Sequence, residues 1–298
     1  METGAAVGSS RTCGGRADAG GSLVKVSVIT VVAGRHEHLA AQLRGVAESS
    51  VPPWQHVVVS MGDNDIADLA GDAATVVQIE APTGQLPIAR ARNVGARIAS
   101  EAGAELLVFL DVDCIPDRDL LRRYEAAADE RGNRHSLLCG PVTYLPPRPS
   151  PWTPADLRAA VQPHPARPDP PPGVVEVGAD YDLFWSLSFA STPSTWNDIG
   201  GFHEGYSGYG GEDTDFGATA RATGVGLRWV GGAHAYHQHH PVSSPPVEHL
   251  GDIVRNSVLF HRRWNRWPMQ GWLDEFERRG LISRKDDGTI SRTDLNDE

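Results

Sequence analysis

The chain has 298 residues, a formal net charge of -11 and 40% hydrophobic residues, enough for one large α/β domain or two small ones with a sizeable core. The acidic balance argues against a general nucleic-acid binder, which needs a cationic face to displace counterions, and against docking on anionic lipid by charge alone. No apolar run reaches the roughly 20 residues of a membrane span, and the three cysteines, Cys13, Cys114 and Cys139, are odd in number without metal-site spacing, which points to a reduced, cytoplasmic setting.

Residues 1–22 are small, Gly/Ala/Ser-rich and lack an apolar h-region, so they read as a disordered tail and not as a secretory signal. The β-branched run 24–32 predicts a buried strand, with Ala33-Gly34 turning the chain. Leu39, Leu43 and Val46 stand at helical spacing over 36–48, and Pro52-Pro53 stops that pattern. Further strands are expected over 56–60 and 74–79, with Gly62-Asp63-Asn64-Asp65 as a polar turn after the first of them. An Ala-rich helix follows over 88–100. A fourth strand over 105–110 ends in Asp111-Val112-Asp113, before a helix starting near Pro116. Strands alternating with helices predict βαβ units and a mainly parallel sheet flanked by helices. Ligands of such sheets bind beyond the carboxyl ends of the strands, where Asp63 and Asp111-Val112-Asp113 stand.

Half of the chain's 22 prolines fall within 146–173. That stretch cannot be helical throughout or form a central strand, so it reads as a long surface excursion, either mobile or lying beside a substrate cleft. Beyond it the sequence predicts a strand over 183–191, a Gly/aromatic loop over 196–211 and a helix over 212–223 with acids in its first turn. Short strands over 227–230 and 233–237 follow, then amphipathic helices over 247–264 and 269–279, pinned to the body by Trp264, Trp267 and Trp272. The expected organisation is one α/β domain over 23–265 and a C-terminal helix and tail over 266–298.

Asp111 and Asp113, two apart in extended backbone, point to one side. Two such carboxylates can share one hard cation, Mn2+ or Mg2+, whose other positions go to phosphate oxygens and water; alone, Asp-x-Asp is equally the sequence of a solvated turn. Glu212 and Asp213 follow Gly208, Gly210 and Gly211, which let backbone approach a ligand closely. A carboxylate there can take the proton of an attacking hydroxyl, or simply begin an acidic helix. Among His234, His237, His239 and His240, extended geometry puts His237 and His239 on one face and turns His240 away. The helix start Arg90-Ala91-Arg92-Asn93 offers arginine to phosphate and asparagine to a ribose or base. There is no Walker loop, and no Gly-x-Gly-x-x-Gly follows a strand.

Read together, Val26-Ser27-Val28-Ile29-Thr30, Ala89-Arg90-Ala91-Arg92-Asn93-Val94-Gly95 and Phe109-Leu110-Asp111-Val112-Asp113-Cys114-Ile115-Pro116 resemble family-2 glycosyltransferases of the Rossmann-like GT-A fold. Ile199-Gly200-Gly201-Phe202 and Gly208-Tyr209-Gly210-Gly211-Glu212-Asp213-Thr214-Asp215, followed by Ala235-Tyr236-His237-Gln238, resemble the C-terminal segment shared by galactosyltransferases and chondroitin-polymerase-like enzymes. The resemblance implies Asp113 and His237 as metal ligands, with Asp111 near the metal or the ribose. It implies a nucleotide-sugar pocket lined by Ala33, Arg35, Asp63, Gln85, Arg92, Asn93, Asp111 and Val112. Asp213 would be the base, Glu212 would hold the acceptor hydroxyl, and Trp196 and Tyr209, beside Gly210 and Gly211, would stack on a sugar face. Two departures stand out. Ser60-Met61-Gly62-Asp63-Asn64-Asp65 replaces the family's frequent Asp-Asp-Gly-Ser, and the first loop lacks the frequent Pro and Asn.

The expected activity is therefore metal-dependent, inverting transfer of a sugar from a nucleotide-diphosphate donor, UDP-linked by resemblance, to a sugar or other hydroxyl acceptor. A metal-dependent hydrolase, a nucleotidyltransferase on a related fold and a non-catalytic sugar-binding module remain as alternatives; the last would have no need of both acidic motifs.

Overall fold

The structure is a computed structural model and describes residues 24–82, 84–148, 150–241, 243–285 and 288–293. The tail expected over 1–22, with Cys13, and the end of the chain over 294–298 lie outside the described residues.

The β-branched runs form strands where their patterns place them. In chain order the first half holds β1 (Val26–Val32), α1 (His36–Ala47), β2 (Gln55–Met61), α2 (Asp65–Ala70), β3 (Thr75–Ile79), α3 (Ile88–Glu101) and β4 (Leu106–Leu110). There follow β5 (Cys114–Pro116), α4 (Leu120–Asp129), β6 (Ser136–Cys139), β7 (Val142–Tyr144), α5 (Pro154–Ala159), β8 (Val175–Gly178) and β9 (Ser188–Ser191). The last part holds α6 (Pro193–Ile199), α7 (Glu212–Ala222), β10 (Gly226–Val230), β11 (Ala235–His237), α8 (Leu250–Trp264) and α9 (Gln270–Arg278).

Among the described residues, eight strands make one sheet in the order β3-β2-β1-β4-β9-β6-β10-β8. The β3-β2-β1-β4 block is parallel throughout, as βαβ units require, and β6 runs parallel to β10. β9 lies antiparallel between β4 and β6, and β8 is an antiparallel edge. Successive residues of β1 face opposite sides: Val26 and Val28 join the cluster around Tyr124, whereas Ile29 and Val31 join the one around Phe109, Phe189 and Phe216. Helix α3 presses directly on this sheet. A Cβ at Gly95 would come within 2.5 Å of the Ile29 side chain, so only glycine permits that approach. Among the described residues, no helix is long and apolar enough to cross a membrane.

A second, small sheet positions the chemistry. β11 pairs antiparallel with β5 and parallel with β7, setting His237 opposite Cys114 on one side and Tyr144 on the other. The Gln238 amide then donates to the Asp113 carbonyl at 2.7 Å, stitching the acidic strand end to the histidine segment.

Several expected boundaries move. The strand expected over 183–191 is reduced to Ser188–Ser191, preceded by a 3-10 turn over Tyr181–Leu183. The loop expected from Trp196 is not loop at its start. Thr192 accepts from the Thr195 amide at 3.2 Å and Pro193 opens a helix whose register includes Trp196, so a cap and a proline start it. The helix expected near Pro116 begins at Leu120 because Cys114–Pro116 pairs as a strand. That expected over 247–264 is a 3-10 turn followed by α8.

The described residues of the proline-rich excursion are held down at several points. Thr153 and Asp156 form a capping box on α5, and Leu157 is buried among Ile115, Leu145 and Tyr236. The His164 amide donates to Val142, and the Gly173 amide to Gly231. At the other end, α8 and α9 bury Ile253, Leu273 and Phe276 together, with Trp267 and Trp272 packed alongside. Trp264 ties α8 to α7 through a 2.6 Å hydrogen bond from its indole to Asp215.

Candidate functional site

At the carboxyl ends of β1, β2 and β4, three turns meet. Asp63 accepts hydrogen bonds from the Gly34 amide at 3.0 Å, the His36 ring at 2.8 Å and the Asp65 amide at 3.1 Å. Burial pushes its carboxyl up, but those donors more than offset this and hold it below the usual range. Ala33 and Arg35 belong to the same turn, and Arg35 takes a left-handed conformation with φ 54° as it enters α1. Gln85 is exposed on the segment leading to α3. Val112 is partly buried, its side chain packed against a small cluster of Val32, Leu39, Val58 and Ile66.

The turn carrying the first acidic pair is braced from α1. Gln42 donates to the Asp111 carbonyl at 2.6 Å and the Cys114 carbonyl at 3.1 Å, while its own carbonyl accepts from Thr30, which also contacts His56. This buried polar chain has no signature in the sequence. A glutamine inside an amphipathic helix carries no local mark of what it will meet.

The two aspartates part company. Asp111 Oδ1 accepts from Arg92 Nη2 at 2.8 Å, and Arg92 Nη1 reaches Glu212 Oε1 at 3.2 Å. Arg92 is only 4% exposed. Burial favours its neutral form, but the charges of Asp111 and Glu212 outweigh that and raise its affinity for the proton. Burial and the nearby Asp113 lift the Asp111 carboxyl to about 6 against the pull of Arg92.

Asp113 looks the other way, towards two histidines. His237 Nε2 lies 3.5 Å from one of its oxygens and His240 Nε2 lies 3.5 Å from the other. One ligand atom from each of the three falls within 4.8 Å of the others. Burial pushes the Asp113 carboxyl up, but the electrostatic pull of the neighbouring His240, His237 and Arg35 holds it below its ordinary value. Burial likewise lowers His237, keeping a neutral imidazole available as a ligand. Two expectations are corrected here. His240 does not turn away, because β11 ends at His237 and strand alternation lapses after it. Asp111 is not part of the three-residue cluster, because its carboxylate is committed to Arg92. One carboxylate and two imidazoles fit a divalent ion of the Mn2+ type better than Mg2+, which prefers an all-oxygen shell.

Next to this cluster opens a cavity of about 890 Å³, lined among others by Arg92, Asp111, Tyr144, Tyr209, Gly210, Glu212 and Asp213. The Tyr144 ring packs on His237 with centroids 4.6 Å apart, so the histidine cluster and the cavity share a wall. Asp213 stands in the first turn of α7, and its Oδ1 accepts from the Thr214 amide at 2.7 Å. Burial first, and then the charge of Glu212, push its carboxyl up to about 7. Glu212 spends one oxygen on Arg92, which leaves Asp213 as the carboxylate of the pair free of any arginine. Asp215 has no role in the cavity. It is buried, accepting from Arg263 at 2.7 Å, Trp264 at 2.6 Å and Tyr206 at 3.2 Å.

Tyr209 lines the cavity with its ring stacked near His249 and Trp272, at 4.4 Å and 5.9 Å. Gly210 and Gly211 beside it are left-handed, with φ 85° and 94°. Trp196 is a correction: it is 7% exposed and stacks on Phe109 at 4.7 Å inside the core, where no sugar can reach it. Asn93 is another, because its amide clamps the loop after α6, accepting from the Phe202 amide at 2.8 Å and donating to the Phe202 carbonyl and Glu204. Besides Tyr209, the aromatic surface that faces the cavity comes from Tyr144, Trp185, Trp267 and Trp272, with His164 from the proline-rich excursion set edge-on against Trp185 at 4.9 Å. Isolated aromatics outside the acidic motifs gave no signal for these positions.

Comparison with known proteins gives the architecture its place. Residues 175–241, which include β11 and the second acidic motif, match the family described as the N-terminal domain of galactosyltransferase. No curated protein sequence matches the chain significantly. Among solved structures, residues 1–349 of S. aureus TarS align with a TM-score of 0.55 at 18% identity, covering 87% of this chain and 72% of that one. The same protein crystallised with UDP-GlcNAc aligns at 0.52 and 16% identity, covering 74% of this chain and 60% of that one. GalNAc-T7, solved with UDP, GalNAc and Mn2+, aligns at 0.53 and 13% identity, covering 86% and 57%. The chain thus spans well under the full length of these relatives. At such identities the likeness is one of fold, the GT-A type of α/β architecture, and only residues 175–241 are similar to the galactosyltransferase family.

Proposed function

We propose that the protein transfers a sugar from a UDP-sugar to an acceptor hydroxyl, with inversion at the anomeric carbon and with a divalent metal ion. The observation that carries this reading is the placement of Asp213. It is a carboxylate with a proton affinity near neutrality, set into the cavity wall and free of arginine, beside a network in which Arg92 ties up both neighbouring acids. The bound nucleotides of TarS and GalNAc-T7, and the Mn2+ of the latter, support the donor and metal class.

In this reading Asp213 accepts the proton of the acceptor hydroxyl as its oxygen forms the new bond to the anomeric carbon. The bond from that carbon to the diphosphate oxygen breaks on the opposite face, and its electron pair leaves with the diphosphate. A single displacement of this kind inverts the configuration. Asp113, His237 and His240 would hold the metal ion, which supplies charge neutralisation for the diphosphate. Arg92 holds Asp111 and Glu212 in place at the cavity wall. The turn joining Gly34, His36 and Asp63 would meet the nucleoside, with Ala33 and Arg35 beside it.

Release of UDP from a panel of UDP-sugars, with and without Mn2+ and with sugar acceptors, tests the proposal. Metal-dependent turnover of at least one donor is expected. Intact sugar binding with no turnover of any donor would leave a binding module instead.

A further inference from the structure

We infer that Asn256 of α8, outside every acidic motif, is a positioning residue: it holds the loop 207–211 in the one shape that presents Tyr209, Glu212 and Asp213 to the cavity. The inference rests on the glycosyltransferase reading for its kinetic consequence alone.

Asn256 is 1% exposed and does not line the cavity. Its side-chain Nδ2 reaches three carbonyls of the loop, Ser207 at 3.0 Å, Tyr209 at 3.3 Å and Gly210 at 2.7 Å. An amide nitrogen has two hydrogens, so one is shared among these oxygens. The orientation of the amide is not in question. Flipped, it would set its oxygen against three converging carbonyls, whereas as placed the Oδ1 lacks a partner and the donors are used. A buried group that leaves its own acceptor unmatched in order to pair three backbone oxygens is shaped for that loop.

The same helix grips the motif elsewhere. One turn before Asn256, Asp252 accepts from the Tyr209 amide at 3.2 Å, and the neighbouring Arg255 donates to the Ser207 carbonyl. The contact is close enough that a Cβ at Gly208, where φ is 70°, would stand 2.0 Å from the Asp252 carboxylate. At the far end of α8, Arg263 and Trp264 hold Asp215, three residues beyond Glu212. The acidic pair is therefore fixed from both sides by one helix. Because Glu212 follows Gly211 directly, a shift of the loop carries Glu212 and Asp213 with it. Nothing local in the sequence marks this, since Asn256 and Gly210 are 46 residues apart.

The test uses the full chain and Asn256→Asp, which keeps the shape but replaces the donor with an acceptor, alongside Gly208→Ala, which disturbs the loop from its own side. Amide hydrogen exchange over 205–213 is expected to speed up about tenfold or more in both variants, with α3 and β4 unchanged. In steady-state transfer, kcat is expected to fall about tenfold or more while the KM for the donor stays within a factor of about two. Wild-type exchange over the loop in a folded Asn256→Asp protein would overturn the inference, whatever its activity. So would a lowered melting temperature with unchanged loop exchange and unchanged kcat, the pattern of a merely structural residue. A wild-type chain with no transferase activity would instead count against the function proposed above, and the exchange measurement would still decide the role of Asn256.

Discussion

Arg92 and Asp111 are joined by a hydrogen bond of 2.8 Å between Nη2 and Oδ1, although they come from different elements, the second turn of α3 and the end of β4. The same guanidinium reaches Glu212 at 3.2 Å, so one arginine links the two acidic motifs that the chain separates by a hundred residues. With Arg92 in place, the acids divide by partner: Asp111 and Glu212 to arginine, Asp113 to histidine, Asp213 to the cavity.

Arg92→Met should therefore damage fold and activity together. It removes the only cation bonded to two largely buried carboxylates among the described residues, a change of the kind that costs about 3–5 kcal/mol. Urea unfolding of the variant measures this. A variant as stable as wild type would mean that water or the metal site compensates the two acids.

The pH profile reports on Asp213. A base must be ionised to work, and burial with the charge of Glu212 lifts this carboxyl to about 7. The expected kcat rises through pH 6 and 7 and levels above, where Asp213 is deprotonated. Asp213→Asn should retain donor binding and lose roughly 10²–10⁴-fold in kcat. Full activity in that variant, or a kcat already flat below pH 5, would remove Asp213 from the role of base.

His240 separates the observed cluster from the one expected. His240→Ala, which removes a ligand atom from the Asp113 group, should weaken Mn2+ binding about tenfold or more, equivalent to about 1.4 kcal/mol, by calorimetry with the metal alone. His239→Ala, which touches no member of that group, should bind as wild type. Equal loss in both would show that the alternation read from the sequence, and not the folded turn, describes the ligands.

Two histidines give the fold a pH dependence of its own. His56, bonded to Thr30, and His234, bonded to Thr143, are buried, and burial lowers each to about 4 from an ordinary 6.5. Between those values the unfolded chain binds more protons than the folded one, so stability falls as the pH falls. Their contribution is fully present above about pH 6.5 and lost towards pH 4, amounting to about 3 kcal/mol each at the acid end. Thermal unfolding from pH 7.5 to 4.5 should show the decline, and His56→Gln should flatten part of it. An unchanged slope in that variant would place the linkage elsewhere.

What the sequence determined by itself was local. A β-branched run makes a strand wherever a sheet exists to receive it, and the acids at the ends of β2 and β4 stand at carboxyl ends because strand direction follows chain direction. The helical pattern 36–48 and the acidic start of α7 were legible for the same reason: their signals lie within one or two turns of chain. Trp196 was misjudged because an aromatic carries no mark of which way it will face, and only the packing of Phe109, Phe202 and Phe216 around it makes it core. Tertiary structure alone decided the partners. That Gln42 braces the Asp111 turn, that His240 swings onto Asp113 after the strand ends, and that Asn256 pins the glycine loop all depend on groups 46 to 127 residues apart in the chain. Hydrogen bonds and ion pairs act over about 3 Å of space, and spacing along the chain carries no record of which distant residues folding will bring within that range.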